Sequence, residues 1–187
     1  DYHLGIDDTH MRMFVPTGKG RTVYQLNSLF NHRYYEPSLR TLPVPALLIR
    51  QKSEAWDHPF IAVYEPYGNG AKSQIRSVYT SKTPKQKGVA KLSVEYFKKD
   101  KMDHIIHSVN EKIEAKYMGI RFMGTYCVVT MEKGRLVSLY IGNGYSFSMD
   151  GLEVSLDEGK PFDVWLEWRD GEWICHSREA VKIKMLK

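Results

Sequence analysis

The stretch FDVWLEWRDGEWICHS, residues 162–177, predicts a β-hairpin and with it the fold class. Asp170-Gly171 forms a two-residue turn there, because glycine tolerates the positive φ that such a turn requires. The turn sets three directly opposed pairs: Arg169 with Glu172, Trp168 with Trp173, and Leu166 with Cys175. Since side chains alternate along a strand, Trp165 is expected on the other side of this hairpin, beside His176.

Strand-length runs recur along the rest of the chain, separated by Gly, Asp, Asn and Lys. Asp150-Gly151 predicts a second hairpin with Phe147 opposite Val154, and Lys133-Gly134 predicts a third. Runs at this close spacing are typical of antiparallel sandwiches and barrels. We therefore predict an all-β protein, an antiparallel β-sandwich of two packed sheets and many short strands, as one domain over residues 1–187. The single helical candidate, VNEKIEAKY (109–117), is not expected to form a helix.

Composition supports strands and narrows the classes of partner. Aromatic residues make up 12% of the chain, with 12 Tyr and 4 Trp, and the net charge is +5. Such a charge suits a polyanionic glycan, a nucleic acid or an anionic membrane surface. The lysines around residues 82–87 and 98–101 are interpreted as solvated loops and are not interleaved with stacking aromatics, which argues against nucleic acid. No apolar run is long enough for a transmembrane helix.

Motifs for metal, cofactor or nucleophilic chemistry are not found in the sequence. His3, Asp7, Asp8 and His10 are ligand types, but they match no known metal-ligand spacing. There is no Ser/His/Asp constellation, phosphate-binding glycine loop or HExxH motif. We therefore expect no cofactor, no metal site and no catalytic residue. The chain opens on Asp1 without an initiator Met or signal peptide, and we interpret it as a processed chain or a C-terminal fragment of a larger one.

The two cysteines are interpreted as free, buried thiols. Cys175 faces Leu166 on the side of the hairpin that carries Trp168 and Trp173, which predicts that its sulfur is buried. A disulfide between Cys127 and Cys175 remains an alternative.

The segment EAWDHPFIAVYEPYGNG, residues 54–70, presents the strongest candidate acid. Both alternating sets of FIAVYE are apolar or aromatic, which predicts a central strand covered on both faces. If residues 45–51 and 59–65 paired as a hairpin, Arg50 would face Phe60, so Glu65 would need a turn amide or an arginine from another strand. Glu65 is either a catalytic acid or the closing residue of a corner. We favour the corner, because no His or Tyr base lies beside Glu65 in this register.

The pattern LLIRQKSEAWDHPFIAVYEPYG (47–68) resembles the C-terminal β-sandwich of heparinase II/III-like polysaccharide lyases. The resemblance implies a parent enzyme with a helical toroid before the sandwich, β-elimination of acidic sugars by a Tyr or His base, and a structural zinc in the β-region. In that family the catalytic residues lie largely on the toroid and the metal ligands come before this chain begins, so no residue here takes those roles. The resemblance also implies a periplasmic or secreted protein. It predicts that this chain is not a lyase by itself and that its partner is the helical catalytic domain.

Exposed aromatics distinguish a supporting domain from the alternative, a free-standing carbohydrate-binding module for acidic polysaccharides. The candidate substrate-binding residues are Arg33, Tyr34, Tyr35, Trp56 and Trp165. Aromatic rings stack on sugars, and Arg33 could pair with a uronate carboxylate. We favour the supporting role, because Lys and Arg are not gathered around those aromatics. A supporting domain is expected to expose a contiguous apolar patch when isolated.

Overall fold

The computed structural model describes residues 2–3, 10–29, 43–52, 54, 59–68, 70–81, 86–98, 100–156 and 159–185. These residues form strands, turns and extended segments, and none of them lies in a helix. The strands are β1 (Tyr2–His3), β2 (His10–Phe14), β3 (Arg21–Leu29), β4 (Pro43–Gln51), β5 (Val63–Tyr67), β6 (Ile75–Thr80), β7 (Val89–Tyr96), β8 (Lys101–Ser108), β9 (Glu114–Tyr117), β10 (Ile120–Glu132), β11 (Arg135–Met149), β12 (Leu152–Ser155), β13 (Phe162–Arg169), β14 (Glu172–Ser177) and β15 (Lys182–Met185). All of the strand pairs among them are antiparallel, so the predicted fold class is confirmed.

The largest sheet has the strand order β14-β13-β11-β10-β8-β7-β6; in addition β9 pairs with β10, β12 pairs with β11, and β15 pairs with β12. Two long strands make this arrangement possible. β10 pairs with β9 near its start and with β8 further on, and β11 pairs first with β13 and then with β12. Both strands therefore run through two layers, which gives the sandwich its corner.

The corner lies where Gly124 of β10 faces Gly144 of β11, next to a register shift. A Cβ on Gly124 would lie 2.7 Å from the Cα of Gly144, and a Cβ on Gly144 would lie 2.2 Å from Cγ2 of Ile141. Only glycine allows the two backbones to approach this closely. The bend folds the second layer over the first.

One hydrophobic core joins the two layers. Its largest fully buried side chains are Phe122, Phe147, Phe162, Ile106, Ile120, Leu139, Ile141, Leu152, Leu166, Val129, Val154 and Val164. These residues come from both sides of the corner, and each strand contributes every second residue, as the strand period requires.

The hairpin predictions are confirmed in register. Phe147 faces Val154, Trp168 faces Trp173, and the Asp-Gly and Lys-Gly turns have the positive φ values that a two-residue hairpin needs. Residues 109–117 form no helix, as expected, because residues 109–113 form a turn that leads into β9. Among the residues described, no helix is long and apolar enough to cross a membrane.

A small sheet of β1, β2 and β5 covers one end of the large sheet. Phe14 and Val63 pack against a second cluster that contains Leu92 and Val94 of β7. The prediction of a central strand over FIAVYE is wrong, because in the described part of the chain β5 lies at the edge of its sheet and pairs with β2 alone. Its Tyr64 is 59% exposed as a result.

The remaining two strands form what we call the β3–β4 ribbon, residues 21–29 and 43–51, and among the residues described they pair with no other strand. Opposed pairs such as Tyr24 with Leu48, and Val23 with Ile49, place apolar side chains on both faces of the ribbon. Large apolar side chains along it are exposed: Val23, Tyr24, Leu26, Leu47 and Leu48. Arg21 ties its start to the body, with Nη1 donating to the carbonyl of Pro16 at 2.7 Å and Nη2 to that of Pro59 at 3.1 Å.

Candidate functional site

A line of aromatic rings crosses the large sheet from β8 to β14, and we call it the aromatic row. Its members, one from each of five neighbouring strands, are His107, Tyr126, Tyr140, Trp165 and His176. Trp165 is 43% exposed and Tyr140 is 45% exposed, so the row presents ring surface to solvent.

Contacts run from ring to ring along the row. Trp165 stacks on His176 with ring centroids 4.7 Å apart and an interplanar angle of 22°. Trp165 also faces Tyr140 directly across β13 and β11. Tyr126 contacts Tyr140 edge to face at 6.1 Å, and His107 contacts Tyr126 in the same way at 6.4 Å. These are ordinary separations for interacting rings, and they hold the row together as one surface.

Alternation along the strands explains why the rings share a face. Cys127, Leu139 and Leu166 are fully buried in the sandwich core, so their neighbours Tyr126, Tyr140 and Trp165 point away from it. The row therefore occupies the outer face of the large sheet.

The polar groups of two rings in the row, Trp165 and Tyr126, help to define its chemistry. Nε1 of Trp165 donates to Oγ of Ser138 at 3.2 Å. Burial, together with the nearby Tyr140, raises the pKa of Tyr126, so its hydroxyl stays protonated at neutral pH. The four cation–π contacts of the described residues involve other rings. Tyr126, Tyr140 and Trp165 thus offer uncharged ring faces, which suit the apolar faces of sugar rings.

Of the predicted substrate-binding residues, Trp165 lies in the aromatic row, beside His176 as expected. Arg33, Tyr34, Tyr35 and Trp56 lie outside the described residues, so their placement stays a prediction. Sequence reasoning missed His107, Tyr126 and Tyr140. Each of these rings lies next in sequence to an apolar residue that is buried in the core. Since side chains alternate along a strand, that pattern would have predicted that the rings lie on the outer face.

Glu65 lies in the middle of β5, opposite Arg12 of β2. Its carboxylate accepts hydrogen bonds from Oγ of Ser73 at 2.6 Å, from the amide of Ile75 at 3.0 Å and from the amide of Gln74. Burial raises the pKa of Glu65, but these donors and the charge of Arg12 outweigh burial and hold the pKa below its ordinary value. Glu65 therefore joins β5 to the residues that enter β6, and Arg12 is the arginine from another strand that was expected beside it.

A second polar cluster lies inside the sandwich. Oγ of Ser93 is 2.7 Å from Nδ1 of His104 and 2.6 Å from the hydroxyl of Tyr117. A serine, a histidine and a tyrosine in contact resemble an acid/base site, but all three are buried, with relative exposures of 0%, 5% and 5%. Burial lowers the pKa of His104 and keeps it neutral. The cluster satisfies its own hydrogen bonds and contributes to the interior.

The two cysteines are free, as favoured, but the prediction that both are buried is wrong for one of them. Cys127 is fully buried. Cys175 faces Leu166 in the expected register and is nevertheless exposed, because β14 is the outermost strand of the large sheet in the part of the chain that the structure describes.

In the described part of the chain, no group of three or more His, Cys, Asp or Glu side chains is placed to hold a metal ion. His10 instead stacks on Tyr67 with ring centroids 5.1 Å apart. Asp7 and Asp8 lie outside the described residues.

Parts of the chain are similar to a known protein family and to a curated protein. Residues 75–167, from β6 into β13, match the family described as the endo-acting ulvan lyase C-terminal domain. The chain is 33% identical over 151 residues to an endo-acting ulvan lyase from Formosa agariphila. The matched part is 76% of this chain and 18% of that protein.

These matches support the predicted C-terminal domain of a polysaccharide lyase, while the narrower heparinase II/III-like assignment stays a prediction. The chain spans about a fifth of the length of the curated relative it matches, 18%. Over residues 75–167 the chain is similar to the endo-acting ulvan lyase C-terminal domain family.

Proposed function

We propose that the chain is a non-catalytic domain of an ulvan-cleaving lyase, which packs against and supports the catalytic portion. The name of the Formosa agariphila relative supports ulvan as the substrate of the whole enzyme. The resemblance to heparinase II/III-like enzymes adds the finer parts of the proposal: a helical catalytic toroid, β-elimination of uronate-containing chains, and a periplasmic or secreted location.

The β3–β4 ribbon is the observation that carries this proposal. Isolated two-stranded hairpins are only marginally stable in water. A ribbon that is apolar on both faces would therefore be stabilised by packing against another surface. Contiguous exposed apolar surface marks an interaction site. The occupant we assign to the ribbon is the catalytic portion of a longer lyase, since the match covers only 18% of the relative's length and leaves room for such a portion.

The polar groups of the described residues support a non-catalytic role. Glu65 is held as a carboxylate by three donors, and the hydroxyl of Ser93 is enclosed with His104 and Tyr117. A general base must reach the proton that it removes from the substrate. Neither group is placed to do so, and we expect no unsaturated product when the isolated chain is incubated with ulvan.

The test compares two exposed apolar residues, Leu48 on the ribbon and Met185 on β15, which are 54% and 56% exposed. We expect Leu48→Asp and Met185→Asp to leave the isolated chain equally stable. In a polypeptide that also carries the catalytic portion, Leu48→Asp alone should lower the thermal midpoint, because it places a charge in the interface. Equal midpoints for the two variants in the longer polypeptide would contradict the proposal.

The aromatic row favours a second candidate function, a carbohydrate-binding module. Titration calorimetry of ulvan oligosaccharides against Trp165→Ala and Trp168→Ala tests it, because these tryptophans are similarly exposed but lie on opposite faces of one hairpin. Sub-millimolar binding that is lost in Trp165→Ala and kept in Trp168→Ala would favour the binding module. Loss of binding in Tyr34→Ala or Trp56→Ala would do the same.

A further inference from the structure

A concavity of about 750 Å³ opens beside β7, β9 and the start of β10, and we call it the basic basin. The residues that matter for its chemistry are Gln86, Lys91, Glu114, Lys116, Tyr117 and Arg121. Three of them are cations and one is a carboxylate. The basin therefore carries more positive than negative charge.

Glu114 is already shared by two of the cations. Its Oε1 accepts from Nε and Nη2 of Arg121 at 3.1 and 3.0 Å, and its Oε2 lies 3.2 Å from Nζ of Lys116. Hydrogen bonds from Arg121 and Lys116 lower the pKa of Glu114, so the carboxylate is charged at neutral pH. The carboxylate of Glu114 therefore pairs with both Lys116 and Arg121, and it forms no ion pair with Lys91.

Among the residues that the structure describes, Lys91 is the cation of the basin that has no acidic partner. It lies on β7, is half-buried, and forms no ion pair with any of the residues described. Burial lowers the pKa of Lys91, which is the direction expected when a charge loses water without gaining a counter-ion. An anion entering the basin would supply that missing interaction.

The walls of the basin are held in place by other bonds. Nε2 of Gln86 donates to the carbonyl of Glu114 at 2.6 Å, which fixes the start of β9. Tyr117 forms the inner side of the basin, and its hydroxyl is hydrogen-bonded to Oγ of Ser93. A site of this kind is organised before its ligand arrives, which limits the entropy lost on binding.

We propose that the basic basin binds an anionic group, a sulfate or a carboxylate, of a saccharide chain. That the anion is carried by a saccharide rests on the proposed function. The basin is separate from the aromatic row: Ala90 faces His107 of the row, whereas Lys91 points to the other face of β7. Recognition of acidic groups and of uncharged ring faces is therefore divided between two surfaces.

The test is titration calorimetry at physiological salt with three probes. They are a sulfated oligosaccharide without uronate, its desulfated and therefore uncharged counterpart, and an unsulfated uronate oligosaccharide. We expect the sulfated probe, the uronate probe or both to bind, and the uncharged probe not to bind. Lys91→Gln should weaken binding about tenfold, because it removes a charge-assisted hydrogen bond. Lys184→Gln, the matched control on β15, changes the net charge equally and should leave the dissociation constant unchanged.

Equal weakening by Lys91→Gln and Lys184→Gln would overturn the proposal, because it would show attraction to net charge alone. Binding of the uncharged probe with the same affinity would also overturn it, as would the absence of binding by both acidic probes. Lys91→Gln should unfold at the same denaturant concentration as the parent chain or a higher one, since it removes a half-buried unpaired charge. The supporting role is tested with Leu48→Asp and the basin with Lys91→Gln. One proposal can therefore be contradicted while the other stands.

Discussion

Gly124 and Gly144 face each other across β10 and β11 at the point where both strands pass from one layer of the sandwich to the other. A side chain on either would meet backbone or core atoms at less than 3 Å. The two glycines therefore determine whether the second layer can fold over the first and close the core around Phe122 and Phe147.

Gly144→Ala is expected to destabilise the chain by about 1–3 kcal/mol, the usual cost of forcing an extra methyl group into a packed region. The added Cβ would lie 2.2 Å from Cγ2 of Ile141. Gly68→Ala is the control, because no atom lies within 4 Å of its added Cβ. Urea unfolding measures both, and equal midpoints would show that the corner tolerates a side chain.

Glu65→Gln should lower the free energy of unfolding at neutral pH by about 1–3 kcal/mol, because it weakens charge-assisted hydrogen bonds from Ser73, Gln74 and Ile75. The pKa of Glu65 is lowered from 4.5, so its contribution is present above that pH and is lost as the pH falls through the folded pKa. The difference between parent and variant should therefore shrink in acid. A variant as stable as the parent at neutral pH would contradict the corner role.

The free energy of unfolding should depend on pH a second time, at higher pH, because of His104. Burial lowers its pKa from 6.5, so its contribution to stability is fully present above that pH. The contribution is lost as the pH falls from 6.5 through the folded pKa, because the unfolded chain binds the proton first. His104→Gln should reduce this slope, whereas His107→Gln, exposed on the same strand, should retain it. Identical slopes in chemical unfolding from pH 7 to pH 5 would contradict burial of a neutral imidazole.

Thiol labelling should separate the two cysteines. Cys175 is exposed and should react with an aromatic disulfide reagent in the folded chain, and Cys175→Ser should abolish that reaction. Cys127 is fully buried, and burial raises its pKa, so it should react only after unfolding. Two equivalents of rapid labelling without denaturant would show that the core around Cys127 is open.

The sequence predicts the local part of this fold well. Asp150-Gly151 and Asp170-Gly171 specify both turn and register over a few residues, and the structure has Phe147 opposite Val154 and Trp168 opposite Trp173. Burial is harder to predict, because it depends on what lies beside a strand. Cys175 has the expected partner and is still exposed at a sheet edge.

Distant pairing explains the remaining errors. β5 pairs with β2, about fifty residues earlier in the chain, which brings Arg12 opposite Glu65, and no local pattern specifies that choice. The aromatic row depends on a register shift between Thr130 and Met131. Without this β-bulge, the alternation of β11 would place Tyr140 on the face opposite Tyr126. The hairpin at Lys133-Gly134 therefore predicts the strands but not the row.

Hydrogen exchange of the β3–β4 ribbon tests the supporting role most directly. The amides of residues 22–27 and 46–50 are measured in the isolated chain and in a polypeptide that also carries the catalytic portion. We predict fast exchange in the isolated chain, where the ribbon stands exposed, and clearly slower exchange in the longer polypeptide, where the catalytic portion covers it. Equal exchange rates in the two polypeptides would contradict the account.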